Sequence, residues 1–340
     1  MFALRVLFLS RSNLTTVPAG DTIQVLNTKR ALEKLGVQVE LKKHPPEGHF
    51  RGDLVHLFNT IPIQDVYAAY HWAKRHGLPV ILSTIYWDAA GWISEAGLGE
   101  EGLKRQEWWQ RTQPLRREVI GGAHLLLPNA EGELAKIRSD FGFAELPYRV
   151  VPNAADPIYL TGRAQAFRRR FKLFGDFVFC AARIDARKNQ LALIDALADT
   201  AFQVVFAGPG GDSAYFCSFQ KRLGEKIRYL GSLSPRVLAD VYAAARVHAL
   251  VSWYDTPGLA SLEAGLAGCR LVSTNRGTAR EYLGDAAFYC DPGDPEDIRQ
   301  TVLRAWRAPV PVGLKQRILA EYNWDRVGRL TLAAYQEVLG

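Results

Sequence analysis

Val247-His248-Ala249-Leu250-Val251-Ser252-Trp253-Tyr254-Asp255-Thr256-Pro257-Gly258-Leu259-Ala260-Ser261-Leu262-Glu263-Ala264 begins as a short apolar strand, turns at Pro-Gly and leaves as a helix. A strand, a turn and a helix in that order form one unit of a parallel α/β sheet. Two acids eight residues apart, Asp255 and Glu263, bracket the turn. Gly258, just ahead of the helix, lets an anion approach backbone N–H groups, and the helix N-terminus adds partial positive charge there. From the helix's first turns, Glu263 offers an acceptor-only carboxylate suited to two adjacent ribose hydroxyls. Acids are also ordinary at helix starts, so this stretch alone fits a plain cap as well as a nucleotide-sugar site.

A second segment of the same kind lies upstream. Phe177-Val178-Phe179-Cys180-Ala181-Ala182-Arg183 has strand character and leads through Ile184-Asp185-Ala186-Arg187 to Lys188-Asn189 and a helix-like Gln190–Leu197. Arg183 and Lys188 therefore fall at the carboxyl end of a parallel strand, where open α/β sheets bind ligands, and an Arg with a Lys suits a diphosphate.

The pattern extends over the chain. Strand-like Val6–Leu9, Val37–Leu41, Leu54–Phe58 and Val80–Thr84 alternate with helix-like Thr22–Leu35 and Val66–Arg75, and this first series ends near residue 150. A second series follows, with strands over Phe177–Ala182, Val204–Ala207, Ile227–Leu230, Val247–Val251 and Arg270–Ser273. Asn323 to Val338 reads as an amphipathic helix. The 340 residues suit two α/β domains, and neither a repeat nor a low-complexity tract interrupts them.

Composition narrows the function classes. The 42 basic and 35 acidic residues leave +7, modest for a nucleic-acid binder but favourable for anionic donors and anionic membrane surfaces. Four cysteines are widely spaced with no Cys-x-x-Cys pair, so neither a disulfide framework nor a zinc site is suggested, and a reducing cytoplasm is the expected setting. Phe2–Ser10 reads as a first strand rather than a signal peptide, because Arg5 interrupts it and no small-residue cleavage site follows. No segment has the roughly 18 apolar residues a membrane span needs, which leaves only peripheral association.

With these pieces, together with Val151-Pro152-Asn153-Ala154-Ala155-Asp156 and Gly277-Thr278-Ala279-Arg280-Glu281, the chain resembles the family 4 glycosyltransferases, retaining enzymes of the GT-B fold. The resemblance implies two Rossmann-like doubly wound domains with a cleft between them. Residues 1–152 would bind acceptor, 153–322 the nucleotide-sugar donor, and the helix at 323–340 would pack back on the first domain. It implies that Arg183 and Lys188 hold the donor diphosphate, Glu263 the ribose and Asp255 the transferred sugar. Gly258, Leu259 and Ala260 would give backbone contacts, and Gly20 and Gly208 would lie in loops facing the donor. No metal and no other cofactor is expected. The implied partners are a nucleotide sugar, a glycan or lipid-linked glycan acceptor and an anionic membrane surface, with no nucleic acid. The implied setting is the inner face of the plasma membrane, in polysaccharide or lipopolysaccharide assembly. A non-catalytic sugar-nucleotide-binding subunit and a soluble sugar-metabolism enzyme, such as a disaccharide synthase, are the alternatives. Two departures stand out: Asp255 replaces the usual Glu, and Leu82–Asp88 lacks the histidine that family often carries.

Other features have two readings each. His56, flanked by apolar residues, fits a core position better than a base, and Asp88 fits a helix cap. Pro18–Thr22 reads as a helix start capped by Asp21 or Thr22. Ala207–Asp212 lacks the G-x-G-x-x-G spacing of a dinucleotide fingerprint and also fits a plain turn. Around Gly99–Ile120, Trp87, Trp92, Trp108 and Trp109 lie among Lys104, Arg105, Arg111, Arg116 and Arg117. The spacing of Trp108, Leu115 and Val119 predicts a buried stripe beneath a solvated basic face, with an acceptor or membrane surface as the other reading.

Overall fold

Five short parallel strands joined by helices and loops build the first sheet. A computed structural model describes residues 4–48, 50–211, 213–256 and 258–340. Phe2 and Ala3 of the expected first strand, Asp212 of the Gly-rich loop and Pro257 of the Pro-Gly turn lie outside the described residues. The chain divides into two units: one holds the described residues up to Ile93, Leu98–Ala154 and Tyr322–Gly340, and the other Ser94–Gly97 and Ala155–Glu321.

In the first unit the elements run β1 (Arg5–Leu9), α1 (Gly20–Lys34), β2 (Gln38–Lys42), β3 (Leu54–Phe58), α2 (Ile63–Arg75), β4 (Val80–Ser83), α3 (Ala89–Glu95), α4 (Gly99–Gly122), β5 (Leu125–Leu126) and α5 (Glu131–Phe141). The sheet is parallel in the order β2-β1-β3-β4-β5, with Val6 opposite Leu54 and Val55 opposite Val80. All five residues of β3 are buried, as a central parallel strand covered on both faces requires. His56 is part of that core. Its Nδ1 lies 2.7 Å from the Tyr335 hydroxyl and its Nε2 2.9 Å from Ser83 Oγ, and burial lowers its pKa to about 3, so the ring is neutral.

Two local expectations are corrected here. The N-cap of α1 is Ala19, not Asp21 or Thr22; Thr22, three residues in, accepts the Ala19 N–H on its hydroxyl at 3.1 Å. Of the expected α4 stripe Val119 is buried, but Trp108 and Leu115 are half-buried, and Trp109, Thr112 and Arg116 complete the buried face. Arg116 belongs to no basic face: it is fully buried, its guanidinium 3.9 Å from the centre of the Trp109 ring. It survives burial because its N–H groups reach Thr60 O (3.0 Å), Ile61 O (2.8 Å) and Thr112 Oγ1 (2.6 Å). Asp88 does cap a helix, accepting the Gly91 N–H of α3 at 2.9 Å.

The second unit runs α6 (Ala164–Phe171), β6 (Phe177–Ala181), α7 (Gln190–Ala196), β7 (Gln203–Ala207), α8 (Ala214–Gln220), β8 (Ile227–Tyr229), α9 (Pro235–Ala244), β9 (Val247–Leu250), α10 (Leu259–Ala267), β10 (Arg270–Thr274), α11 (Ala279–Leu283), β11 (Ala287–Cys290), α12 (Pro295–Arg307) and α13 (Leu314–Glu321). Its sheet is parallel in the order β11-β10-β9-β6-β7-β8. Strand order reverses between β6 and β9, which makes their carboxyl ends the topological switch point of a doubly wound sheet. Val178, Phe206, Val247, Ala249 and Val272 pack with Leu193, Ile194, Ile298 and Val302 beneath that edge. The last helix, α14 (Trp324–Leu339), capped by Asn323, belongs to the first unit and buries Val327, Ala334 and Tyr335 with Val25 and Leu32. Among the described residues no helix is long and apolar enough to cross a membrane.

Candidate functional site

The switch point between β6 and β9 gathers several of the expected residues. Past the end of β6, the Arg183 carbonyl accepts Gln190 Nε2 at 2.7 Å. Asp185 then caps a single 3-10 turn, Ala186–Lys188, by accepting the Lys188 N–H. Asn189 follows with φ 59°, and its Nδ2 donates to Pro292 O at 2.8 Å and Val251 O at 3.3 Å. These bonds fasten the turn to the loops that leave β9 and β11.

Across that loop, Lys188 Nζ lies 2.5 Å from Asp255 Oδ1. The Lys188 side chain is 14% exposed and Asp255 4%. Burial, and after it the charge of Arg187, hold the Lys188 ammonium below its usual range, against the pull of Asp255. Asp255 Oδ2 is buried with no hydrogen-bond partner among the described residues. The Asp255 backbone is held as firmly as its carboxylate. Its carbonyl accepts the Thr278 N–H at 3.0 Å, and Asp255 and Gly277 form a parallel bridge. Gly277 has φ 93°, and a Cβ there would sit 2.2 Å from Asp255 O, so the position admits only glycine.

The turn after Asp255 leads into α10. Ser261 N–H is the first to bond the Gly258 carbonyl, at 2.8 Å. The N–H groups of Gly258, Leu259 and Ala260 therefore precede the first intrahelical bond, at the end of α10 where the helix dipole places partial positive charge. Glu263, 7% exposed, lies one turn further in. The Tyr242 hydroxyl donates to its Oε2 at 3.0 Å and Tyr159 also bonds it. Burial raises its pKa to about 7, and the two tyrosine hydrogen bonds offset part of that rise.

The two loop glycines differ in circumstance. Gly208 stands beside Arg183: a Cβ there would lie 2.0 Å from the Ala182 carbonyl. Its N–H is already spent on Gly231 O at 2.9 Å, and its carbonyl accepts the Tyr229 hydroxyl at 2.8 Å, so the turn explains this glycine without a ligand. Gly20 lies in the other unit, exposed, as the first residue of α1. Beside it Asp21 is buried in a fork from Arg11, at 2.6 and 2.9 Å, and accepts Asn59 Nδ2 at 2.8 Å. These bonds tie the loops after β1 and β3 together at that sheet's own switch point.

Sequence reasoning missed Arg187 and the two tyrosines. Arg187 Nη1 donates to Tyr254 O at 2.8 Å and lies 3.6 Å from Asp255 Oδ1. Its position beside Lys188 was the only signal available, because Tyr254 is 67 residues away. Nothing in the spacing pairs Tyr159 or Tyr242 with Glu263.

Residues 165–321 match the family described as glycosyl transferases group 1. The chain is similar to the O-antigen chain mannosyltransferase B of Escherichia coli, 34% identical over 32% of this chain and 30% of that one. It is also similar to the mannosylfructose-phosphate synthase of Agrobacterium fabrum, 24% identical over 63% of this chain and 53% of that one. The chain thus spans no more than about half the length of these two relatives. Among solved structures, the sucrose-phosphate synthase of Thermosynechococcus elongatus superposes with a TM-score of 0.83 at 16% identity, over 99% of both chains. Residues 165–321 thus match the glycosyl transferases group 1 model and carry the second of the chain's two parallel Rossmann-like sheets, a pair that superposes on a solved structure of the GT-B type.

Proposed function

We propose that the chain is a retaining glycosyltransferase that moves a sugar from a nucleoside diphosphate donor to a hydroxyl acceptor. The observation that carries this reading is the pairing of Lys188 with Asp255 at the β6/β9 switch point, next to the N–H groups that open α10. In this reading Arg183 and Lys188 neutralise the diphosphate, and the N–H groups of Gly258, Leu259 and Ala260 bind a phosphate oxygen. Glu263 accepts the ribose hydroxyls, held at the right angle by Tyr242 and Tyr159. Asp255 Oδ2, the oxygen that Lys188 does not occupy, accepts a hydroxyl of the transferred sugar.

No enzymic base is required. His56 is locked neutral in the first sheet, and the leaving diphosphate can take the acceptor proton while Arg183 and Lys188 offset its developing charge. In this reading those two cations do the charge stabilisation that a metal would otherwise supply. Surface polysaccharide or lipopolysaccharide assembly at the inner face of the plasma membrane is the proposed setting, supported by the likeness to an O-antigen mannosyltransferase. A second reading, transfer to a small sugar phosphate, draws support from the likenesses to mannosylfructose-phosphate and sucrose-phosphate synthases.

The test is to incubate the protein with UDP-, GDP- and ADP-sugars and measure released nucleoside diphosphate, with Lys188→Ala and Glu263→Ala alongside. Slow hydrolysis of one donor, absent from both variants, is expected. Binding of a donor with no release, even when glycan and sugar-phosphate acceptors are supplied, would favour a non-catalytic subunit.

A further inference from the structure

Arg187 makes three contacts with three successive residues. Its backbone carbonyl accepts the Trp253 N–H at 2.9 Å, its Nη1 donates to Tyr254 O at 2.8 Å, and the same nitrogen lies 3.6 Å from Asp255 Oδ1. Lys188, the next residue, puts its ammonium on that same oxygen. One buried carboxylate thus faces two cations carried by one short turn, and the turn is fastened by Asp185 on one side and Asn189 on the other.

Two cations on one acid have a consequence for a ligand. If Asp255 were balanced by Lys188 alone, turning the ammonium toward a phosphate would strand a buried carboxylate, which is among the costliest things a protein interior can hold. Arg187 removes that obstacle. Its guanidinium, fixed by the Tyr254 carbonyl and 26% exposed, stays with Asp255 while the flexible four-carbon stem of Lys188 swings. A planar guanidinium loses little freedom in holding this place, whereas the lysine is free to move its three N–H donors.

We propose that Arg187 is a positioning residue: it holds the Trp253–Asp255 turn and takes over as counter-ion to Asp255, so that Lys188 is released to the donor diphosphate. This rests on the reading of the site given under Proposed function. Arg187 acts through Asp255 and Lys188, and touches no substrate.

The test is a double-mutant cycle read by calorimetric binding of UDP, GDP and ADP, with thermal unfolding of each variant recorded alongside. Arg187→Gln removes the charge while its amide can still donate to Tyr254 O. It is expected to weaken nucleoside diphosphate binding about tenfold or more, because Lys188 is then the sole counter-ion of Asp255. Arg187→Lys, which restores a cation, should recover most of that loss. Adding Asp255→Asn to Arg187→Gln should also recover binding, since no buried charge is then left to hold Lys188 back. A merely structural arginine predicts the opposite, because removing a second residue from the turn could only worsen binding. Additive losses in the double variant, or wild-type affinity in Arg187→Gln, would overturn the proposal and leave the diphosphate site intact. Absence of binding by the unaltered protein would overturn both this proposal and the reading it rests on.

Discussion

A buried ion pair such as Lys188 and Asp255 is poor evidence for stability, because the desolvation of two charges offsets most of their attraction. Under the proposed function, its position at a sheet's switch point serves an anionic donor. Lys188→Ala is expected to lower donor hydrolysis by about a hundredfold or more, roughly 3 kcal/mol of transition-state stabilisation, as when one preorganised charge-stabilising donor is lost. Steady-state release of nucleoside diphosphate checks this, and turnover within a few-fold of the unaltered protein would remove Lys188 from the mechanism. Glu263 makes a separate prediction. Its carboxyl titrates at about 7 in the folded chain against 4.5 ordinarily. The folded state therefore holds the proton more tightly, so its contribution to stability is fully present below about 4.5 and declines as pH rises to about 7. The decline amounts to roughly 3 kcal/mol. Urea unfolding of Glu263→Gln should lack that part of the slope between pH 4.5 and 7. Ligand binding should run the other way: a carboxylate accepts from both ribose hydroxyls only when ionised, so affinity for the nucleoside diphosphate should rise from pH 6 to 8 and be flat in Glu263→Gln.

At the scale of elements, the β9–α10 loop is held from two sides. The Ala186–Lys188 turn grips it through Trp253 and Tyr254, and the loop after β10 grips it through Asp255. Gly277 is the contact point of the second grip. Gly277→Ala would place a methyl 2.2 Å from Asp255 O on a backbone with φ 93°, so either the loop after β10 or the Asp255 segment must shift. The expected cost is about 2–4 kcal/mol of unfolding free energy, read by urea denaturation, from strain at a special backbone geometry. Donor turnover should be lost with it, because the shift carries Asp255 away from Lys188. A variant that lost stability yet kept full turnover would mean that the Asp255 backbone need not be held there.

At the scale of the whole molecule, each unit has its own sheet and its own core, but chain order and unit membership disagree at the C-terminus. The chain leaves the second unit at Glu321 and completes the first with α14. Val327, Ala334 and Tyr335 fill the side of the first core formed by Val25 and Leu32, and Tyr335 also satisfies His56. Deleting residues 323–340 is expected to expose that core and abolish hydrogen-exchange protection in β1 and β3, while β6 and β9 keep theirs. Equal protection in all four strands would show that α14 is dispensable to the first unit. The milder Tyr335→Phe, which leaves His56 Nδ1 buried without a partner, should cost about 1–3 kcal/mol.

Local order was legible in the residues. Runs such as Leu54–Phe58 and Phe177–Ala181 announce buried parallel strands, and the alternation of strand and helix patterns announces doubly wound sheets. β5 escaped notice because two residues carry no period, and the α4 stripe was misplaced because Arg116 reads as solvated until aromatic rings and backbone carbonyls are seen around it. The acids, the Arg-Lys pair and the helix-opening glycine were visible as residue types at suitable spacing. Their partners were not: Lys188 meets Asp255 across 67 residues and Glu263 meets Tyr242 across 21. Periodicity and turn chemistry act over a few residues and are written along the chain, whereas a contact between distant segments exists only once strand order has set which loop ends lie side by side. That order, reversing between β6 and β9, is what brings an arginine and a lysine from one turn against an aspartate from another loop.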